Sequence, residues 1–253
     1  MVEARSISKR FGKVVALDGV DFGARPGEIH ALVGENGAGK TTLMNIFAGR
    51  LRPDAGAATL DGQPLRFSGA MVMRGIATVH QTPLMFDRMT WEENLALGGF
   101  GLNRAINDFD AVAEGASALA ERLGFELPPR GGWVGERSVA ERVRLEVIRA
   151  LSFDPRVLIL DEPTGVLAPG ELSAFLDMLR RLRTEGRTVI LITHKLGEAL
   201  AVADRITVLR RGRVVATKTT DQTNEAELAH LMIGELVADP EKSDVREPGA
   251  PLL

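Results

Sequence analysis

Two short stretches of this sequence carry residue types at spacings suited to phosphate chemistry. The first is Gly34-Glu35-Asn36-Gly37-Ala38-Gly39-Lys40-Thr41-Thr42, set between the apolar run Ile29 to Val33 and a helix-like run from Leu43 to Ala48. Glycines at 34, 37 and 39 let the backbone turn tightly and aim successive N–H groups, those of Asn36 and Ala38 among them, at one point. The helix that follows adds its positive dipole end there. Such a cavity holds phosphate oxygens. Lys40 supplies a point charge for β- and γ-phosphates, the Thr41 hydroxyl a ligand for Mg²⁺, and Thr42 completes the nucleotide-binding run. The second stretch is Val157-Leu158-Ile159-Leu160-Asp161-Glu162-Pro163-Thr164. An uninterrupted apolar strand suits a central parallel strand buried on both faces, and it delivers two carboxylates to the strand end, where open α/β sheets bind ligands. Asp161 suits a Mg²⁺ site through bound water. Glu162, one residue on, reaches a different group and can polarise a water aimed at a γ-phosphate.

The elements that must position these residues are legible in outline. Lys13 to Phe22 and Glu28 to Val33 read as strands, and Ala58 to Phe67 alternates around Asp61-Gly62, a two-residue hairpin turn. From Trp91 to about Leu151 the spacing is helical, with Phe109, Val112, Ala116, Leu119 and Leu123 on one face, so a helical insert is expected. Strand and helix then alternate: Val157 to Leu160, a helix from Leu172 to Leu182 with Pro169 near its start, Thr188 to Thr193, and Ile206 to Ala216 broken by Arg211-Gly212. That alternation builds a parallel sheet. Beyond about residue 236 the composition turns to Asp, Glu, Lys, Pro and Gly, which reads as a polar tail or linker.

Composition narrows the class. The chain has 253 residues, 45% of them hydrophobic, enough to bury a core without staples. It has no cysteine, hence neither disulfides nor thiolate metal sites, and its four histidines are scattered. No apolar run approaches the roughly 20 residues that span a bilayer, and the N-terminus lacks an export signal, so a cytoplasmic protein is expected. A net charge of −3, from 31 basic and 34 acidic residues, gives no bulk electrostatic reason to expect nucleic acid.

With these motifs in this order, the sequence resembles a nucleotide-binding subunit of the ATP-binding-cassette (ABC) superfamily from about Val2 to Val237. Phe11 falls where such proteins place an aromatic that stacks on adenine. Gln81, in Val79-His80-Gln81, matches the Q-loop glutamine, and His194, in Ile192-Thr193-His194, the switch histidine. The resemblance implies that Gln81 bridges Mg²⁺ or the attacking water, and that His194 holds the γ-phosphate and keeps Glu162 in line. It implies an α/β fold: a P-loop NTPase core with a mostly parallel sheet, an N-terminal antiparallel β subdomain and a helical subdomain inserted over about 84–151. The cassette would cover 1–236, with the tail over 237–253. It also implies ATP and Mg²⁺ as cofactors, the latter held by Thr41, Gln81 and Asp161. The implied partners are a second cassette, identical or different, permease subunits contacted through Pro83 to Trp91, and indirectly a solute-binding lipoprotein. The chain would then be peripheral on the cytoplasmic face of the cell membrane.

Two departures from the family pattern matter. Where the family carries its signature, L-S-G-G-Q or a close S-x-G-E variant, this chain reads Arg137-Ser138-Val139-Ala140-Glu141. The resemblance implies that Ser138 bonds the γ-phosphate of ATP held by the partner cassette. Ala140, in place of the second glycine, would then add a methyl to a close backbone contact, an expected penalty of about 1–3 kcal/mol, or roughly 10- to 100-fold in closure. Arg137 replaces leucine. The second departure is Thr164-Gly165-Val166-Leu167-Ala168-Pro169, which lacks the aspartate many family members place at position 168 and is similar to the uptake ATPases for monosaccharides and nucleosides. In that branch one polypeptide commonly carries two cassettes, and this chain resembles the first half, its tail being either a natural end or a linker. Two other functions stay open at this level: a nucleotide-sensing, weakly hydrolysing partner cassette, motivated by Arg137 and Ala140, and a soluble non-transport ABC ATPase.

Overall fold

The computed structural model describes residues 1–65, 67, 75–98, 108–165 and 167–234. The strands are β1 (Val2–Phe11), β2 (Val14–Ala24), β3 (Ile29–Val33), β4 (Ala55–Leu60), β5 (Gln63–Pro64), β6 (Ile76–Val79), β7 (Val157–Asp161), β8 (Thr188–Thr193), β9 (Arg205–Arg210) and β10 (Arg213–Thr219). The helices are α1 (Lys40–Phe47), α2 (Trp91–Ala96), α3 (Phe109–Leu123), α4 (Val139–Leu151), α5 (Pro169–Thr184), α6 (Leu196–Val202) and α7 (Glu225–Ile233). One antiparallel sheet runs β2-β1-β4-β5. A second runs β10-β9-β3-β8-β7-β6, parallel throughout except for the antiparallel edge strand β10.

Every side chain of β3 and β8 is buried, as the apolar runs require, because both faces of the parallel sheet are covered. Alternate residues go to different cores. Ile29, Ala31, Val33, Leu158, Leu160, Val189 and Leu191 face a cluster that includes α3, α4, α5 and α6. Leu32, Ile159, Ile190 and Ile192 face a second cluster built from α1 and the antiparallel sheet. Each such side chain contributes roughly 1.5–3 kcal/mol on burial. Helices α2, α3 and α4 lie in the chain between β6 and β7 and pack on the first cluster, with Val112, Ala116 and Leu123 buried and Phe109 and Leu119 partly so.

The sequence pattern misses β1, and the reason is local. Its buried residues are Val2, Ala4 and Ile7, so alternation breaks where the pairing with β2 shifts register and Ser6 sits at φ 49°. A bulge of this kind inserts a residue and hides a strand from a period-2 reading. The expected hairpin turn at Asp61-Gly62 forms, and the break at Arg211-Gly212 is a second one, between β9 and β10. Asp61-Gly62 and Arg211-Gly212 take positive φ at each central residue, the backbone twist a two-residue hairpin needs. Phe67, expected in a strand, lies outside β5, and the expected tail lies outside the described residues.

Candidate nucleotide site

Strands β3 and β7 run parallel with β8 between them, so the loop after Val33 and the carboxylates at the end of β7 open onto the same carboxyl end of the sheet. They line a cavity of about 420 Å³ together with Val14, Val15, Ala16 and Gln81, the loop contributing residues 36–42 and β7 and its end Asp161 and Glu162. Gly37 and Gly39 have φ of 80° and 106°. A Cβ on Gly39 would also lie 2.6 Å from the Ala16 carbonyl, so the loop is pressed against β2. Gly34 plays a different part from the one its place in the loop suggests. It does not line the cavity, and a Cβ there would lie 2.2 Å from the Leu209 carbonyl of β9, so the glycine is required by close sheet packing.

Lys40 is buried at the start of α1 and its Nζ donates to the carbonyls of Gly34 (2.7 Å) and Glu35 (3.0 Å). Burial pushes its pKa down, while the charges of Glu162 and Asp161 oppose that shift. Asp161 goes the other way: burial and then the neighbouring Glu162 charge push its pKa up, against Lys40 and a 3.4 Å hydrogen bond from the Thr41 hydroxyl to Oδ2. Two carboxylates and one ammonium thus face a common space. Glu162 sits at φ 48°, a left-handed conformation that costs a β-carbon-bearing residue roughly 1–2 kcal/mol, and its N–H donates to the Ile192 carbonyl at 3.0 Å. This bend brings a carboxylate oxygen within 3.2 Å of Nδ1 of His194, which follows β8. His194 is about half exposed and therefore open to a ligand.

Other expected residues lie elsewhere. Phe11 ends β1 opposite Val14 but does not itself line the cavity; its ring is 51% exposed, with Lys9 Nζ 5.8 Å from its centre. Ser138 is also outside the cavity, at the N-cap of α4. There its hydroxyl accepts the Glu141 N–H (3.2 Å) and its own N–H donates to the Glu141 carboxylate (2.8 Å). The expectation for Ala140 needs correction. It is only 5% exposed, its methyl facing Phe125, Leu167 and Phe175 between α4 and α5 rather than outward. Arg137 likewise folds inward, donating to the carbonyls of Pro129 (2.9 Å) and Gly131 (2.6 Å). In the segment after Gln81, Leu84 and Phe86 are exposed, whereas Trp91 is buried and Met85 packs on the core. Val14, Val15 and Ala16 also line the cavity, and nothing in their residue types or spacing marks them as site residues in the sequence.

A glycine loop that enters a helix through lysine, faced by a carboxylate pair at the end of a parallel strand of the same sheet, defines a P-loop nucleotide-binding core. Residues 17–165 match the family model described as ABC transporter. A ribose import ATP-binding protein of Rubrobacter xylanophilus is 41% identical over all of this chain and 51% of its own length. A nucleoside import ATP-binding protein of Lactococcus lactis is 40% identical over 94% of this chain and 47% of its own. Among solved structures, a nucleotide-free ATP-binding cassette from an ABC transporter aligns with a TM-score of 0.79 at 26% identity, covering 94% of this chain and 97% of that one. The chain belongs to the ABC transporter family and has the fold of its ATP-binding cassette. It spans about half the length of the curated relatives it matches.

Proposed function

We propose that this chain binds and hydrolyses ATP to power a membrane importer, with sugars or nucleosides as the class of solute. The observation that carries the proposal is the convergence of Lys40, Asp161, Glu162 and Gln81 on one cavity beside His194. Phosphate oxygens sit on the N–H groups of residues 36–42, replacing the two carbonyls now held by Lys40. Phe11 offers an open ring face for the adenine. Glu162, set by its backbone bend, accepts a proton from the attacking water, and His194 steadies that carboxylate and the γ-phosphate. Thr41, Asp161 and Gln81 present hydroxyl, carboxylate and amide oxygens, hard donors suited to Mg²⁺, which would neutralise charge on the β- and γ-oxygens. The elevated pKa of Asp161, raised by burial and then by the Glu162 charge, fits this assignment, because a cation relieves a carboxylate that is desolvated and held beside a like charge.

The site faces solvent on one side, so a second cassette completes it through its own Ser138-capped helix, and hydrolysis reopens the pair. The cassette occupies 1–236, with 84–151 as its helical subdomain. Exposed Leu84 and Phe86 form the permease-facing patch; a solute-binding lipoprotein acts through the permease; and the chain lies on the cytoplasmic face of the membrane. No helix among the described residues is long and apolar enough to cross a membrane, which supports a peripheral subunit. The relatives named for ribose and nucleoside import support the solute class. The inward methyl of Ala140 weakens the case for a merely nucleotide-sensing subunit. Steady-state hydrolysis of Mg·ATP across a protein dilution series, beside Glu162→Gln, tests the proposal. Turnover that rises with concentration and vanishes in the variant is expected; turnover unchanged in the variant would overturn it.

A further inference from the structure

Behind the cavity, two buried polar residues that do not line it join the segment after the carboxylates to the helix after the switch histidine. Thr164 is 2% exposed and Glu198 8%. The Thr164 hydroxyl donates to Oε2 of Glu198, while Lys195 Nζ lies 3.0 Å from Oε1 of the same carboxylate and donates to the Thr164 carbonyl at 3.0 Å. The Lys195 N–H is in turn fixed on the Thr193 hydroxyl at 3.0 Å. Thr164 is two residues beyond Glu162 and Lys195 is one beyond His194, and those two side chains meet at 3.2 Å. The contacts therefore close a ring: Glu162 to Thr164 along the chain, across to Glu198 and Lys195, back along the chain to His194, and across to Glu162.

We infer that Lys195 and Glu198 are positioning residues that hold Glu162 and His194 in register. Burying a carboxylate is costly unless it finds partners, and here both Glu198 oxygens are used, one by the buried Thr164 hydroxyl and one by the half-buried Lys195 ammonium. Only a carboxylate accepts from both without offering a donor. Glutamine has one acceptor oxygen, so it can accept from the Thr164 hydroxyl or from the Lys195 ammonium but not from both. The ring also offsets the left-handed bend at Glu162, since that backbone is held before it by the Ile192 carbonyl and after it by Thr164. Neither positioning residue touches the phosphate loop, so loss of the ring should leave nucleotide binding intact.

The consequence for turnover rests on the function proposed above; the ring itself does not, and two measurements separate them. In Lys195→Met and Glu198→Gln, hydrogen exchange of the full chain is read in the segments around 162–165 and 193–196. Faster exchange in both segments from either substitution is expected. Acceleration confined to the mutated segment would overturn the ring. In parallel, kcat is expected to fall by roughly tenfold or more with ATP affinity changed less than about twofold, as loss of alignment rather than of contact predicts. A lower melting temperature with kcat unchanged would overturn the positioning role. An inactive wild type whose variants still show the coupled exchange would overturn the ATPase assignment and leave the ring standing.

Discussion

At the scale of single residues, chemistry and packing divide the glycine loop between them. Lys40 contributes charge, so Lys40→Ala is expected to lower ATP affinity by roughly 10- to 100-fold, the weight of a charged hydrogen bond, in a direct binding titration. Glu162→Gln is expected to keep that affinity and lower turnover by about 10²-fold or more. Gly34 contributes space. Gly34→Ala should destabilise the protein by about 1–3 kcal/mol in denaturant unfolding, since its methyl meets a strand carbonyl at 2.2 Å. A different group governs acid stability. His30 is fully buried, with ring nitrogens 3.1 Å from Glu28 and 2.7 Å from Thr207, and burial holds its pKa below the usual 6.5. Burial alone would raise the Glu28 carboxyl, but the His30 and Arg25 hydrogen bonds and the charges of His30 and Arg205 carry it below 4.5. The unfolded chain therefore binds more protons at each residue as pH falls. The stability these two groups contribute is full above pH 6.5 and declines on acidification, first through His30 and then, below 4.5, through Glu28. Unfolding free energies measured against pH should show this slope, and His30→Gln should flatten its upper part.

At the scale of elements, α4 carries the departure from the family pattern and its accommodation. Its N-terminus is a reciprocal capping box of Ser138 and Glu141, which gives the first turn its own acceptors. Ala140 follows with its methyl in the seam with α5, where a glycine would leave space and loosen the helix. Ala140→Gly is accordingly expected to lower stability by about 1–2 kcal/mol, without strengthening ATP-dependent dimerisation of a Glu162→Gln background by sedimentation. Stronger dimerisation in that variant would return the alanine to the cassette interface. Strand β1 shows the complementary limit. Its apolar residues are in plain view, yet the bulge at Ser6 puts them out of phase, and only pairing with β2 and β4 makes it a central strand.

At the scale of the whole molecule, two cores share one parallel sheet, and the site lies at the carboxyl end of its strands. The antiparallel sheet lends Val14 to Ala16 as lining, while the helical insert carries Ser138 away from the cavity, facing outward with its cap. A single chain therefore holds Lys40, Asp161 and Glu162 in one place and the Ser138-capped end of α4 in another, which is the physical ground for expecting the proposed turnover to depend on concentration.

The sequence by itself determined the phosphate loop, the carboxylate pair, most of the parallel sheet and the amphipathic face of α3. Each depends on short-range spacing: glycines that permit a turn, an apolar run that needs two covered faces, a 3.6-residue period. Tertiary structure alone decided that Gly34 serves a neighbouring strand, that Ala140 and Arg137 turn inward, that β1 exists through its bulge, and that Thr164, Lys195 and Glu198 meet beside the Glu162–His194 contact. Those outcomes depend on which distant residues the topology brings into contact, and a period or motif read along one chain carries no information about the other side of a contact.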